Sequence, residues 1–204
     1  MYDAAPVPEG WTQLDRLFVP EDEAPVALVL KDSSSGATAL AVRGSQTGWD
    51  WKEDFTFFFA DSPWGVGRVE TGFSTYFNES KTESGRPLPP CDWIGGHSLG
   101  GPAATYFACC MAPGTVDLLV AETPEPGDEA FSKWASPRLR AIHRWENPDD
   151  VVPDAPGRFL GYRDLAGDPV VLDLRQLGVG RFDLGGNHSL SNCVAAFKLQ
   201  NSLQ

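Results

Sequence analysis

The sequence predicts an α/β fold, a mixed and mainly parallel central sheet flanked by helices, on three observations. Short apolar and β-branched runs recur along the chain, segments of helical character lie between and after them, and glycines and prolines punctuate the junctions. With 204 residues, 42% hydrophobic and 22% charged, the chain is long enough to bury one core and too apolar to remain disordered. It reads as a single domain over residues 1–204, because neither a repeat nor a linker divides it.

Taken in order, Gly10 to Leu17 has helical character, and Val26 to Leu30 and Ala37 to Val42 read as strands. Only Lys31 to Gly36 separates those two strands, too short a link for a crossover helix, so they form an antiparallel hairpin and the sheet is mixed. Phe55 to Phe59 reads as a buried strand, and Ser80 to Pro90 is the most loop-like stretch. Trp93 to Ile94, Val116 to Val120 and Ala141 to Trp145 are further strands, alternating with helices over Leu99 to Met111 and Gly127 to Ala135. Tyr162 to Leu165 and Val170 to Leu174 flank a Gly-Asp-Pro turn and are expected to pair as a second hairpin, after which Leu190 to Leu199 forms the last helix.

A formal charge of −12 with no basic patch repels phosphate backbones, which excludes a nucleic-acid partner and favours neutral substrates. No stretch reaches the ~18 apolar residues of a membrane span, and the first residues lack a signal-like apolar core, so a soluble chain is expected and its compartment stays open. Cys91, Cys109, Cys110 and Cys193 lack the paired spacing of a zinc site and read as buried free thiols.

Chemistry enters at Gly96-His97-Ser98-Leu99-Gly100. This G-x-S-x-G follows an apolar run and opens a helix, the context of a strained strand-to-helix turn that pushes a serine hydroxyl out toward substrate. The same turn aims the Leu99 amide and the positive end of the helix at a developing oxyanion. As a purely structural feature the motif would be a tight turn with Ser98 capping the helix.

A serine nucleophile needs a base, and the chain has three histidines. His97, inside the turn, should point away from Ser98 and pack behind it. His143 sits within a strand, upstream of the best acid candidate, as a half-buried structural residue. His188, in Gly185-Gly186-Asn187-His188-Ser189, lies on a loop that can reach the top of the sheet, and it completes the order serine, acid, histidine. Asp149 and Asp150 follow the strand Ala141 to Trp145, whose carboxyl end is where ligands gather in open α/β sheets, and either one fits as the acid.

These residues resemble the class 3 lipases, the fungal-type lipases and feruloyl esterases of the α/β-hydrolase fold, from about Ala24 to His188. Gly96-His97-Ser98-Leu99-Gly100-Gly101 is similar to the family's elbow, Ala41-Val42-Arg43-Gly44-Ser45 to its oxyanion strand and loop, and Thr123 to Phe131 to its G-x-P-x-x-G-x-x-x-F region. The resemblance implies a serine ester hydrolase with Ser98, Asp150 and His188 as triad and no cofactor or metal. It selects Asp150 because two residues and then Pro153 follow, and it makes Ser45 the second oxyanion donor beside Leu99. The matching lid is short, Gln46 to Asp54, where Trp49 and Trp51 either line an acyl pocket or simply pack. Glu70 and Glu122 depart from the family, which has His and Gly there, and the helix before the elbow strand is shortened by the proline-rich Gly85 to Pro90. Small-molecule or lipid esters are the implied substrates. The rivals are a silent binding module of the same fold and a thioesterase or acyltransferase using the same triad.

Overall fold

The computed structural model describes residues 7–20, 24–44 and 58–202. Strands β1 (Trp11–Phe18), β2 (Ala27–Asp32) and β3 (Thr38–Val42) pair antiparallel in succession, the last two as the expected hairpin. After them come β4 (Phe59–Asp61), β5 (Arg68–Glu70), helix α1 (Thr71–Glu79), β6 (Lys81–Thr82), the elbow strand β7 (Trp93–His97) and helix α2 (Gly100–Cys109). The remainder comprises β8 (Asp117–Ala121), β9 (Gly127–Asp128), α3 (Glu129–Ala135), β10 (Ala141–Glu146), β11 (Tyr162–Arg163), β12 (Val170–Val171), α4 (Leu184–Asn187) and α5 (Leu190–Ser202).

The main sheet runs β12-β10-β8-β7-β3-β2-β1-β6, with parallel pairing from β3 through β7, β8 and β10 to β12. Period two decides its faces. In β8, Leu118 and Val120 join the principal core, whereas Leu119 and Ala121 line a cavity beneath α5 on the other side. All ten residues of α2 are buried, as expected of a helix apolar on every side, and it packs against β7, β8, β3 and α1. A smaller sheet, β11-β9-β5-β4, is antiparallel throughout.

Two expected elements are corrected. Gly10 to Leu17 is not helical but contributes to strand β1, between β2 and the short edge strand β6, and its register slips between Gln13 and Asp15. The extra residue of that bulge, Leu14, is 51% exposed, so its spacing from Trp11 and Leu17 mimics a helix face although the pairing is extended. The second hairpin does not form either. Tyr162–Arg163 pairs with β9 in the smaller sheet, and Val170–Val171 runs parallel to β10 in the main one. Arg144 of β10 holds the connector open, donating to the carbonyls of Leu165 at 3.1 Å and Gly167 at 3.2 Å and pairing with Asp164 at 3.0 Å.

Three smaller expectations also change. Phe59 stacks on Tyr162 with centroids 4.0 Å apart but is only half-buried, and Phe58 is exposed, so the described end of the phenylalanine run is not a buried strand; Phe55 and Phe57 lie outside the described residues. His143 is exposed rather than half-buried, its ring stacked on Trp145 along the same strand face. The cysteines are free thiols, three buried and Cys110 exposed.

Candidate active site

The turn between β7 and α2 is fixed by close backbone contacts. Ser98 adopts φ 56°, a left-handed conformation that a side-chain-bearing residue holds only when its surroundings enforce it. Its amide donates to the Ala121 carbonyl at 3.1 Å, and its carbonyl accepts from the Gly101 amide at 2.9 Å. A Cβ on Gly96 would stand 2.3 Å from the Gly100 carbonyl oxygen, and one on Gly100 would stand 2.7 Å from the backbone of Val42 and Arg43. The first glycine thus lets helix meet strand, and the second lets the helix start against the end of β3. Leu99 occupies the N-cap position of α2, so its amide lies before the intrahelical ladder and is available to an anion.

The three residues proposed from sequence as a triad come together. His188 Nε2 lies 2.7 Å from Ser98 Oγ, and His188 Nδ1 lies 2.6 Å from Asp150 Oδ2. The serine hydroxyl can therefore donate to one ring nitrogen while the other donates to the carboxylate. Asp150 Oδ1 also accepts from the Val152 amide at 3.1 Å. Ser98 retains 8% exposure, and the Asp150 side chain retains 2%.

Neighbouring Asp149 has a different fate. Its carboxylate accepts from Arg175 Nε at 2.7 Å and Nη2 at 3.2 Å, with Arg181 at 3.6 Å, and is thereby held away from His188. Two asparagines unforeseen in the sequence tie the acid loop to the histidine loop. Asn147 Nδ2 donates to Asn187 Oδ1 at 3.0 Å and to the Asn187 carbonyl at 3.2 Å, while Asn187 Nδ2 reaches the carbonyls of Gly180 and Arg181. Their proximity to Asp150 and His188 along the chain was the available signal, but their pairing is a long-range contact.

His97 lines the cavity behind the turn and also flanks the proposed base, its ring 4.8 Å from that of His188. Burial, and then the neighbouring His188, push its pKa down to about 4, so at neutral pH it remains uncharged beside the site. The cavity, about 630 Å³, is walled by Leu119, Ala121, Trp145, Leu190, Val194 and Phe197 among others and borders Gly44 and Gly96 at the elbow. Ser45, Trp49 and Trp51 lie outside the described residues.

One unexpected carboxyl completes the site. Glu122, at the end of β8, is fully buried with φ 48°. Its Oε1 accepts from the Asn147 amide at 2.8 Å and from the Cys193 thiol at 3.4 Å. Burial, reinforced by the adjacent charge of Asp150, pushes its pKa up to about 9.

Comparison with known proteins gives consistent similarities. The family described as lipase (class 3) matches residues 39–160. Secreted mono- and diacylglycerol lipase 1 of Fusarium solani is 29% identical over 150 residues, 67% of this chain and 44% of that protein, so the chain spans less than half the length of this curated relative. The triacylglyceride lipase of Rhizomucor miehei superimposes with a TM-score of 0.67 at 22% identity, over 80% of this chain and 67% of that one. A triacylglycerol lipase whose catalytic centre is formed by a serine protease triad gives 0.69 at 22% identity, over 82% and 69%. These structural likenesses establish the α/β-hydrolase fold.

Proposed function

This chain belongs to the class 3 lipase family, and from that membership we propose that it is a serine carboxylic ester hydrolase working through Ser98, His188 and Asp150. The observation that carries the proposal is the unbroken hydrogen-bonded line from Ser98 Oγ through His188 to Asp150.

In the proposed cycle His188 Nε2 takes the Ser98 proton as Oγ attacks the ester carbonyl, and Asp150 stabilises the resulting imidazolium. The oxyanion is received by the Leu99 amide and, as the family resemblance implies, by that of Ser45. Collapse expels the alcohol, which leaves with the proton from Nε2, and the acyl group remains on Ser98. Water then loses a proton to Nε2, attacks the acyl carbonyl and frees the acid, restoring the serine. Every proton moves over side chains of this chain, so no cofactor or metal is called on.

Small-molecule or lipid esters are the proposed substrates. The curated relative is a mono- and diacylglycerol lipase, and exposed Val151, Phe182 and Leu184 lie close in sequence to Asp150 and His188, where transient contact with a lipid interface would bring ester to the site. Among the described residues no helix is long and apolar enough to cross a membrane. Trp49 and Trp51 are proposed to line the acyl pocket.

Hydrolysis of p-nitrophenyl esters from acetate to palmitate, by wild type and Ser98→Ala in parallel, tests the proposal. Turnover that depends on Ser98 is the expected result, and the best chain length ranks esterase against lipase. Equal turnover in Ser98→Ala, or none from folded wild type on any ester, overturns it.

A further inference from the structure

Three glutamates, Glu70, Glu122 and Glu125, are almost wholly buried. Two have evident structural duties. Glu70 accepts the Phe73 amide at 2.8 Å as the N-cap of α1, and Glu125 accepts the Gly157 amide at 3.1 Å with Arg158 beside it. Glu122 is different, because it is fastened to the acid loop itself, its Oε1 accepting from the amide of Asn147 three residues before Asp150, and the charge of Asp150 bears on it. Its Oε1 is engaged by the Asn147 amide and the Cys193 thiol, whereas Oε2 is buried and receives no hydrogen bond among the described residues.

Two carboxyl groups crowded into one buried cluster are not both ionised. Asp150 already takes donors from the Val152 amide and His188, the arrangement of an ionised group. The proton therefore belongs on Glu122, and the otherwise unengaged Oε2 is the atom that can carry it.

We propose that Glu122 is a positioning residue, a carboxylic acid held neutral that donates a hydrogen bond from Oε2 to the Asp150 carboxylate and so fixes that carboxylate in line with His188. The inference rests on the triad proposed above. Glu122 is also a non-glycine residue at φ 48°, a left-handed backbone held with its side chain fastened to the Asn147 amide of the acid loop. The titratable groups around Glu122 are Asp150 from the acid loop and Cys193 from α5, with His188 beyond Asp150 and uncharged His97 from β7 beside it. Burial keeps Cys193 a thiol, so the acidic proton of Glu122 is the one lost first as pH rises.

The test compares wild type, Ser98→Ala, Glu122→Gln and Glu122→Gly across pH in ester hydrolysis and thermal unfolding. Gln reproduces the pattern, an acceptor toward Asn147 and a donor toward Asp150, but cannot ionise; Gly suits the backbone and leaves Asp150 short of one donor. Wild type is expected to lose kcat on the alkaline side as Glu122 ionises, and Glu122→Gln to keep neutral activity without that limb. Glu122→Gly should lower kcat about tenfold with KM little changed, the scale of one lost hydrogen bond to a charged group.

Unfolding gives a readout independent of turnover. A carboxyl whose folded pKa is raised binds its proton longer in the native state, so wild type should lose stability between about pH 5 and pH 9 relative to Glu122→Gln. Parallel stability profiles, or a Gln variant that keeps the alkaline limb and matches Gly, overturn the inference while leaving the triad standing. Wild-type turnover that does not need Ser98 overturns the triad, and this inference with it.

Discussion

The two halves of the candidate site are built on different physics. The elbow, Gly96 to Gly101, is held by backbone packing, where strand and helix approach so closely that a single added Cβ has no room. The acid and histidine loops are held by hydrogen bonds, several of them buried, from Asn147 to Asn187 and Glu122 and between Asp150, the Val152 amide and His188. An elbow of this kind fails by steric clash. The acid–histidine half fails by losing a charge, a donor or an acceptor while its backbone stays in place.

The sharpest contrast comes from removing chemistry without shape. Ser98→Ala should lower kcat by ~10⁴-fold or more with unfolding unchanged, measured by ester turnover and by thermal melting of the same preparation. Asp150→Asn follows at ~10³- to 10⁴-fold, because an amide facing His188 Nδ1 favours the wrong tautomer and cannot stabilise the imidazolium. If Asp150→Asn costs less than tenfold while Asp149→Asn is crippling, the assignment of the acid is reversed.

Steric failure ranks next. Gly100→Ala places a methyl 2.7 Å from the Val42 and Arg43 backbone, so it should destabilise the fold by about 1–3 kcal/mol and displace the nucleophile. Stability and activity should fall together, and an Ala variant with native melting would show that the elbow can relax. Asn147→Ala leaves the Asn187 side-chain oxygen without its donor, for about 1–3 kcal/mol, and loosens His188 relative to Asp150. Its expected signature is a fall in kcat of about tenfold at most, with the elbow intact.

This division also explains what was legible in the sequence. The elbow could be read directly because its constraint is local: three glycines, a serine and a helix start within six residues state the geometry on their own. The hairpin of β2 and β3 was legible for the same reason, through its short turn. Strand β1 was not, because a bulge at Leu14 broke the period of two, and the 162–174 stretch was not, because Arg144 from a distant strand holds it open. Ser98 and His188 could be named from motif and order. Glu122 stood out only as a departure from the family's glycine, and Asn147 and Asn187 not at all, since their contacts form only when residues tens of positions apart are folded against one another.

The smallest expected effect separates the two adjacent aspartates. Asp149 and Asp150 share a loop and a charge, and only their partners differ: an exposed arginine for one, the buried imidazole of His188 for the other. Arg175 is 62% exposed although the Asp149 side chain is 4% exposed, and an asparagine there keeps an acceptor oxygen for the guanidinium, so the exchange removes a charge but not the contact, at about 1 kcal/mol. Asp149→Asn should therefore cost little stability, change kcat by less than about threefold and leave the pH–rate profile unmoved, since the altered group touches no reacting atom. Raising salt should weaken the wild-type pair and bring its melting toward that of the variant, because the arginine end of the pair is open to salt while the buried line from Asp150 to Ser98 is not.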